Sequence, residues 1–342
     1  MSRSPPARAG ATENLRGIAL MSVAMLGFAL TDMFIKLVGE ALPTGQIVMV
    51  LGAGGSLLFA LLARRRGEAL LTRTFFHPAV LLRNGFEIVG TLLFVSAIVH
   101  SPLSVASAII QATPLVVTLG AALWLRETVG ARRWSAIGVG LIGVLLIIQP
   151  WRETFVPASL LAVGGAFALG FRDLATRGVP RSVPTLVLSS YALAMLVPAG
   201  AFLLMLPSSP APTLPDALQS LHLLGAIAIS TLGYYGITAA MRVGDVGLVT
   251  PFRYSRIVFA LAISVSVFGE RVDAMMLLGA SIVVASGLYT LLRERGLARD
   301  PTCGPTGPGV PSSRRESATT RSDPDRAAYQ SATSGSTPNQ TP

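Results

Sequence analysis

Residues 246–268 read V-G-L-V-T-P-F-R-Y-S-R-I-V-F-A-L-A-I-S-V-S-V-F. The run is apolar almost throughout and long enough to cross the hydrocarbon of a bilayer, which takes about 20 residues. Its first half breaks the pattern at Thr250–Arg256, with Pro251, Arg253, Tyr254 and Arg256. A charge at the middle of a membrane helix costs about 2.5–3.5 kcal/mol on insertion scales. Arg253 and Arg256 are three residues apart, so they share a helix face. That face meets protein, water or a ligand, or else both arginines snorkel to headgroups near the cytoplasmic end.

The rest of the chain is of the same kind. Of its 342 residues 51% are hydrophobic and only 13% charged, against about 25% charged in soluble domains. Mean hydropathy is +0.62. This is the composition of a polytopic membrane protein. A net charge of +10 and a pI near 10.9 do not indicate nucleic acid. The basic residues gather in short loops and in the C-terminal tail, the positive-inside pattern. A single cysteine, Cys303, excludes an internal disulfide and a Cys-based metal site. Lys36 is the only lysine among 27 basic residues, and it lies in the first apolar run. A buried lysine can titrate where arginine cannot, so it is a candidate for function, with chance as the alternative.

Ten apolar runs follow one another, at about 16–38, 44–63, 79–99, 103–123, 133–149, 157–176, 184–206, 219–240, 247–268 and 273–292. The second is rich in small residues (Gly52, Gly54, Gly55, Ser56), which let membrane helices approach closely. The fourth holds Gln111, Thr113 and Pro114, and the proline allows a kink. Asp32 and Lys36 are four apart and able to pair on one face, as are Arg83 and Glu87. Residues 1–15 lack the features of a signal peptide and read as a cytoplasmic N-terminal tail. Residues 294–342, rich in Ser, Thr, Pro, Gly and Arg, read as a disordered cytoplasmic tail. Arg64, Arg65, Arg66, Arg73, Arg126, Arg132, Arg133, Arg177, Arg181 and Arg242 fall on one side of the membrane if the N-terminus is inside, and few arginines fall on the other. Ten spans then put both termini in the cytoplasm.

The two halves repeat. At an offset of 143 residues Gly90 meets Gly233, Ala97 meets Ala240 and Glu127 meets Glu270. At an offset of 141 Asp32 and Lys36 meet Asp173 and Arg177. Each half has an odd number of spans, so the second is inserted upside down. Inverted repeats mark secondary transporters, with the substrate between the repeats near the midplane. The fold expected is an all-α polytopic membrane protein of ten transmembrane helices in two inverted five-helix repeats, 16–150 and 157–293. Asp32 and Lys36 near one mouth, with Asp173 and Arg177 near the other, suit an outer and an inner gate or proton coupling. As ordinary interfacial charges they would do neither.

The segments L-R-E-T-V-G-A-R-R-W-S-A-I-G-V-G-L-I-G-V-L-L-I (125–147) and F-G-E-R-V-D-A-M-M-L-L-G-A-S-I-V-V-A-S-G-L-Y (268–289) resemble the drug/metabolite transporter superfamily, in particular its EamA-domain members. In that family a Gly-Glu or similar pair ends the fourth helix of each repeat. Gly269–Glu270 holds the place in the second, while Arg126–Glu127 departs from it in the first. The resemblance implies an inner-membrane carrier with a central cavity between the third, fourth, eighth and ninth helices and their neighbours. It also implies a substrate such as an amino acid, a nucleoside-like compound, S-adenosylmethionine or riboflavin.

Within that cavity the candidate substrate ligands are Arg253, Tyr254, Arg256, Gln111, Tyr234, Tyr235 and Glu87. Two arginines with tyrosines suit a carboxylate, a phosphate or a planar ring, and nearby acids leave room for a zwitterion. The offset sets Ile110 and Thr113 opposite Arg253 and Arg256, so the basic pair has no counterpart in the first half. Glu87 pairs with Arg83 or neutralises Arg253 across the cavity. Glu127 and Glu270 fix helix ends. The function expected is a secondary transporter moving a small polar metabolite by alternating access, with the bilayer, the substrate and optionally a coupling proton or a second copy in a homodimer as partners. No cofactor and no enzyme activity are expected, because no H-E-x-x-H, G-x-S-x-G or phosphate-binding loop is present. A polytopic membrane enzyme and a membrane scaffold or sensor are the alternatives.

Overall fold

A computed structural model describes residues 11–70, 72–124, 130–180, 182–207 and 209–299. Arg126, Glu127, Arg181, the first ten residues and the tail from 300 onward lie outside it. Twelve α-helices follow in order: α1 (Ala11–Gly39), α2 (Thr44–Arg65), α3 (Pro78–His100), α4 (Leu103–Ile110), α5 (Thr113–Leu123), α6 (Ala131–Ile148), α7 (Ser159–Thr176), α8 (Thr185–Leu204), α9 (Ala217–Val243), α10 (Val246–Val249), α11 (Ser255–Ser266) and α12 (Ala274–Arg299). Short 3₁₀ turns cover Arg73–Phe76 and Thr250–Tyr254. Among the described residues there is no strand. Among the described residues eight helical stretches are long and apolar enough to cross a membrane, with α4 and α5 together making one of them. The other two apolar runs fall short because Arg172–Asp173 lower the hydropathy of α7 and because residues 246–266 are interrupted.

Local chemistry sets the helix ends. Pro78 occupies the first turn of α3, where a missing N–H costs nothing, and the His77 ring accepts from the Ala79 N–H. Asp216 and Gln219 form a reciprocal capping box at the start of α9. The interruption between α4 and α5 follows from Pro114, which has no N–H to offer the Ile110 carbonyl. The Thr113 hydroxyl fills that place, donating to Ile110 O at 2.6 Å. The backbone tightens there to i→i+3 bonds, Gln111 N to Ala108 O and Ala112 N to Ile109 O. The second interruption, at Thr250–Tyr254, also opens with a proline, Pro251.

Four long contacts hold the bundle: α1 along α9, α2 along α8, α3 along α7 and α6 along α12. Small residues allow two of these to close to backbone distance. A methyl group on Gly45 of α2 would lie 2.7 Å from the Gly200 carbonyl of α8, and one on Gly143 of α6 would lie 2.9 Å from the Gly279 carbonyl of α12. The main core gathers Ile47, Ile98, Leu103, Ile109 and Leu196, all essentially inaccessible. Large apolar side chains elsewhere face outward, such as Leu218, Leu221, Leu224 and Leu232 on α9, as lipid contact requires.

Candidate functional site

The α1–α11 seam carries a buried charge pair. Arg256 Nη2 donates to Asp32 Oδ2 at 2.6 Å; their side chains are 17% and 4% exposed. Phe28, one turn before Asp32 on α1, and Phe94 of α3 each place a ring 5.6 Å from the guanidinium carbon. Cation–π attraction at such distances is worth roughly 2 kcal/mol when desolvated. The Arg256 Nε is buried without a partner. Asp32 lies between the levels where Gly27 meets Ile229 and where Phe34 covers Gly225, near the middle of α9. The break before α11 sits beside this pair, where Gln111 Nε2 donates to Arg253 O at 3.3 Å and joins the two interruptions.

Asp32 and Lys36 therefore do not pair with each other, contrary to their four-residue spacing. Lys36 Nζ donates to Ser101 O at 2.7 Å and Ile98 O at 3.2 Å, carbonyls left open at the end of α3. It also lies 4.0 Å from Glu270. Glu270 caps α4, accepting from Leu103 N (2.6 Å), Ser104 N (3.0 Å) and Ser104 Oγ (2.6 Å). Each charge thus meets the helix terminus of opposite polarity, and one knot ties α1, α3 and α4 to the segment after α11. Along the α1–α11 side the polarity alternates: acid to base at Asp32–Arg256, base to acid at Lys36–Glu270.

A third cluster lies where α3 meets α7. Glu87 is bound by Arg172 at 3.1 Å and Arg83 at 3.2 Å, and Arg172 also holds Asp173 at 2.7 Å. Glu87 consequently neutralises these arginines and not Arg253. Asp173, expected to form an acid–base pair with Arg177, is bound by its neighbour Arg172. Arg83 Nη1 donates to Asn84 Oδ1 at 3.1 Å. Arg83 Nε and Asn84 Nδ2 are buried and unpartnered.

The remaining sequence candidates scatter. Tyr254 is buried, with its hydroxyl unpartnered and seated against Gly287 of α12. Arg253 is exposed, and its guanidinium joins no ion pair among the described residues. Tyr234 accepts from Ser189 Oγ at 3.1 Å and packs edge-on to Phe59. Tyr235 is 58% exposed on the same stripe of α9 as Leu221, Leu224 and Leu232, apart from the buried charges. An apolar cleft lined by Ile109, Leu115, Ile137, Val144 and Phe167 lies between α4, α5, α6 and α7. Among the described residues no three His, Cys, Asp or Glu side chains gather as a metal centre would. Sequence reasoning overlooked Phe28, Phe94 and Asn84. Phe28 had a signal, its i, i+4 spacing to Asp32; the other two had none without the fold.

Comparison with known proteins adds a family. Residues 15–149 and 156–292 each match the model described as the EamA-like transporter family. The chain is 30% identical over 275 residues to a riboflavin transporter of Vibrio cholerae, covering 80% of this chain and 91% of that one. It is 28% identical over 285 residues to the pseudopaline exporter CntI of Pseudomonas aeruginosa, covering 82% and 97%. It is 22% identical over 287 residues to an S-adenosylmethionine uptake transporter of Rickettsia conorii, covering 82% and 94%.

Proposed function

The chain belongs to the EamA-like transporter family, a multi-pass membrane protein that transports a small molecule, and on that premise we propose that it works by alternating access around the Asp32–Arg256 pair. In this reading ten spans form two inverted halves, 16–150 and 157–293, in the inner membrane with both termini cytoplasmic. Two packing relations support the inversion. The 143-residue offset carries Gly143 onto Ser286 and Ala136 onto Gly279. The Gly143–Gly279 approach and the Ser286 Oγ bond to Ala136 O at 2.5 Å are then one contact made twice. In the same way Gly27 beside Gly233 and Gly90 beside Leu169 match within a residue. The helix interruptions also correspond, Gln111 falling on Tyr254. Interrupted spans in corresponding positions are where such carriers place their substrate.

The single observation that carries the reading is the salt bridge near mid-bundle, held between two phenyl rings at a helix break. An ion pair there costs several kcal/mol of desolvation per charge, and apolar packing would serve stability as well. The pair is the substrate contact, and the Phe28 and Phe94 rings offer flat surface to a planar ligand. The Lys36–Glu270 knot closes the outer mouth, and the Arg83–Glu87–Arg172–Asp173 cluster holds the inner third of α3 to α7. Opening to either side releases one and keeps the other. A thermal-shift screen of the purified protein against metabolites tests this, since a ligand raises apparent stability by mass action. A hit that disappears with Arg256→Ala is expected. A hit that persists undiminished in both Arg256→Ala and Asp32→Ala sinks the site.

A further inference from the structure

The α2–α8 crossing joins the two halves and carries a clip at each end. Both helices start directly after a proline whose ψ is 140°, Pro43 and Pro184. Pro43–Thr44 falls on Pro184–Thr185 at the 141-residue offset. The helices run antiparallel. Gly45 at the start of α2 meets Gly200 and Leu204 at the end of α8. Further along α2, Ser56 O accepts from Ser190 Oγ, in the first half of α8, at 3.2 Å. The connection that leaves α8 therefore passes the start of α2, and the connection that leaves α2 passes the start of α8. Each is caught there. Gln46 Nε2 donates to Thr213 O at 2.6 Å, and Gln46 Oε1 accepts from Thr213 N at 3.1 Å. One side-chain amide thus takes both backbone groups of a single residue in the α8–α9 connection. At the other end the Tyr191 hydroxyl donates to Leu70 O of the α2–α3 connection at 2.5 Å. Its one proton is then in use, so it accepts from the Thr72 hydroxyl at 3.1 Å. The Phe75 ring stands edge-on to the Tyr191 ring, with centroids 4.9 Å apart. Gln46 and Tyr191 are both buried.

The two clips are one junction made twice. Leu70 and Thr213 correspond at the 143-residue offset. At the 141-residue offset Gln46 falls on Val187, one helical turn from Tyr191 and on the same face of α8. In each clip the connection belongs to one half and the side chain to the other, so both clips tie the halves together. The Gln46 clip shares its end of the bundle with the Lys36–Glu270 knot, because only residues 40–43 separate α1 from α2. The Tyr191 clip shares the opposite end with Arg83 and Glu87, which lie near the start of α3. Connections between helices are ordinarily the mobile parts of a bundle, and here each is anchored by a buried polar side chain. Alternating access has to part the halves at one end while holding them at the other. Neutral hydrogen bonds suit that duty, since their net worth is modest and water replaces them when they open.

We propose that Gln46 and Tyr191 are paired latches at opposite faces of the membrane, whose relative strength sets the balance between the outward-open and inward-open states. This rests on the alternating-access reading and names two positioning residues for it, neither of them a substrate ligand. Weakening one latch draws population into the state that is open at its own end. The same shift withdraws population from the other open state, so the far latch spends less time apart.

The test is hydrogen–deuterium exchange of the full-length protein in lipid nanodiscs, read at residues 72–77 on one face and 209–216 on the other. Gln46→Met keeps the side-chain volume and removes both hydrogen bonds. Tyr191→Phe keeps the ring against Phe75 and removes the hydroxyl. Each should speed exchange in its own connection by about three- to tenfold, the worth of one or two hydrogen bonds. The deciding signal is at the far end. Gln46→Met should slow exchange at 72–77 by about twofold, and Tyr191→Phe should slow it at 209–216 to the same degree, as a population shift requires. A far connection left unchanged makes each clip a local anchor, and loosening at both ends makes it a general stabiliser; either result overturns the latches. Should Gln46→Met fail to elute as a monodisperse species, Thr213→Pro takes its place. It deletes the N–H that Gln46 accepts from and lies outside the helices. A metabolite hit in the thermal-shift screen with no far-end response overturns the latches and leaves the carrier reading standing. No hit and no far-end response overturns both.

Discussion

Removing the Glu270 carboxylate is the sharpest probe of how this bundle is held. Glu270 accepts two backbone N–H bonds and one hydroxyl bond from the first residues of α4, and its side chain is 12% exposed. Hydrogen bonds to a charged group contribute about 1.5–3 kcal/mol each in mutational series. They are not additive, and the loss of an N-cap alone costs about 0.5–2 kcal/mol. Breaking a buried charged contact from one side costs about 3–5 kcal/mol. Glu270→Ala should therefore destabilise by about 3–5 kcal/mol. Glu270→Gln, which keeps one acceptor oxygen, should cost about half of that. The contribution of Lys36 separates cleanly. Its ammonium is 4.0 Å from Glu270 but 2.7 Å from Ser101 O, so most of its value lies in capping α3. A double-mutant cycle of Glu270→Gln with Lys36→Met should give a coupling of no more than about 1 kcal/mol. The assay is reversible unfolding in mixed micelles, followed by circular dichroism as denaturing detergent is titrated. A Glu270→Ala protein within about 0.5 kcal/mol of the parent would refute the capping argument, since ordinary surface substitutions fall in that range.

Other substitutions should sort by burial. Arg172→Ala leaves Glu87 with Arg83 alone and Asp173, 37% exposed, without its close partner, and should cost about 1.5–3 kcal/mol, the worth of a hydrogen bond to a charged group; a change below about 0.5 kcal/mol in the same unfolding assay would contradict the cluster. Arg152 and Asp273 also pair closely, at 2.8 Å, but are 49% and 37% exposed; Arg152→Ala should cost less than about 1 kcal/mol and be insensitive in transport. Gly279→Leu drives a side chain toward Gly143 O and Ile147 N, which a methyl group alone would meet at 2.6 and 2.9 Å. It should separate α6 from α12 and lower the melting temperature by more than any surface change, whereas unchanged melting would place that crossing wrongly.

The apolar runs were legible because a span must be long and greasy whatever surrounds it, and the helices keep to within a few residues of the expected bounds. The exceptions are instructive. Helix α1 begins at Ala11 and α12 continues to Arg299, because amphiphilic ends extend a helix beyond its apolar segment. The interruptions were half visible. Pro114 announced one, but the carbonyl it frees is taken by Thr113, a local answer that spacing does not reveal. The charge pairs were the least legible. Asp32 and Lys36 stand at the right spacing to pair, yet each finds a better partner on another element: a guanidinium on α11 for one, open carbonyls at the end of α3 for the other. Arg83 and Glu87 do pair as their spacing indicates, but Arg172 joins them from a helix 85 positions away. Intramembrane charges choose the partner that removes the most desolvation, and that partner is set by packing between helices. The opening stretch keeps its importance with its two arginines divided. Arg256 is locked in the buried pair, while Arg253 is exposed and supplies its carbonyl to Gln111.

The most direct measurement of the central claim is counterflow in proteoliposomes loaded with the unlabelled metabolite that the thermal-shift screen returns, the same compound being supplied outside with a label. Exchange by an alternating-access carrier needs the substrate site but no driving gradient. The parent protein and Arg152→Ala should accumulate label above equilibrium, and Arg256→Gln and Asp32→Asn should each lose at least nine-tenths of the initial rate while remaining monodisperse. Full counterflow in both of those variants would contradict the account, because the buried pair would then be structural and the substrate would be held elsewhere.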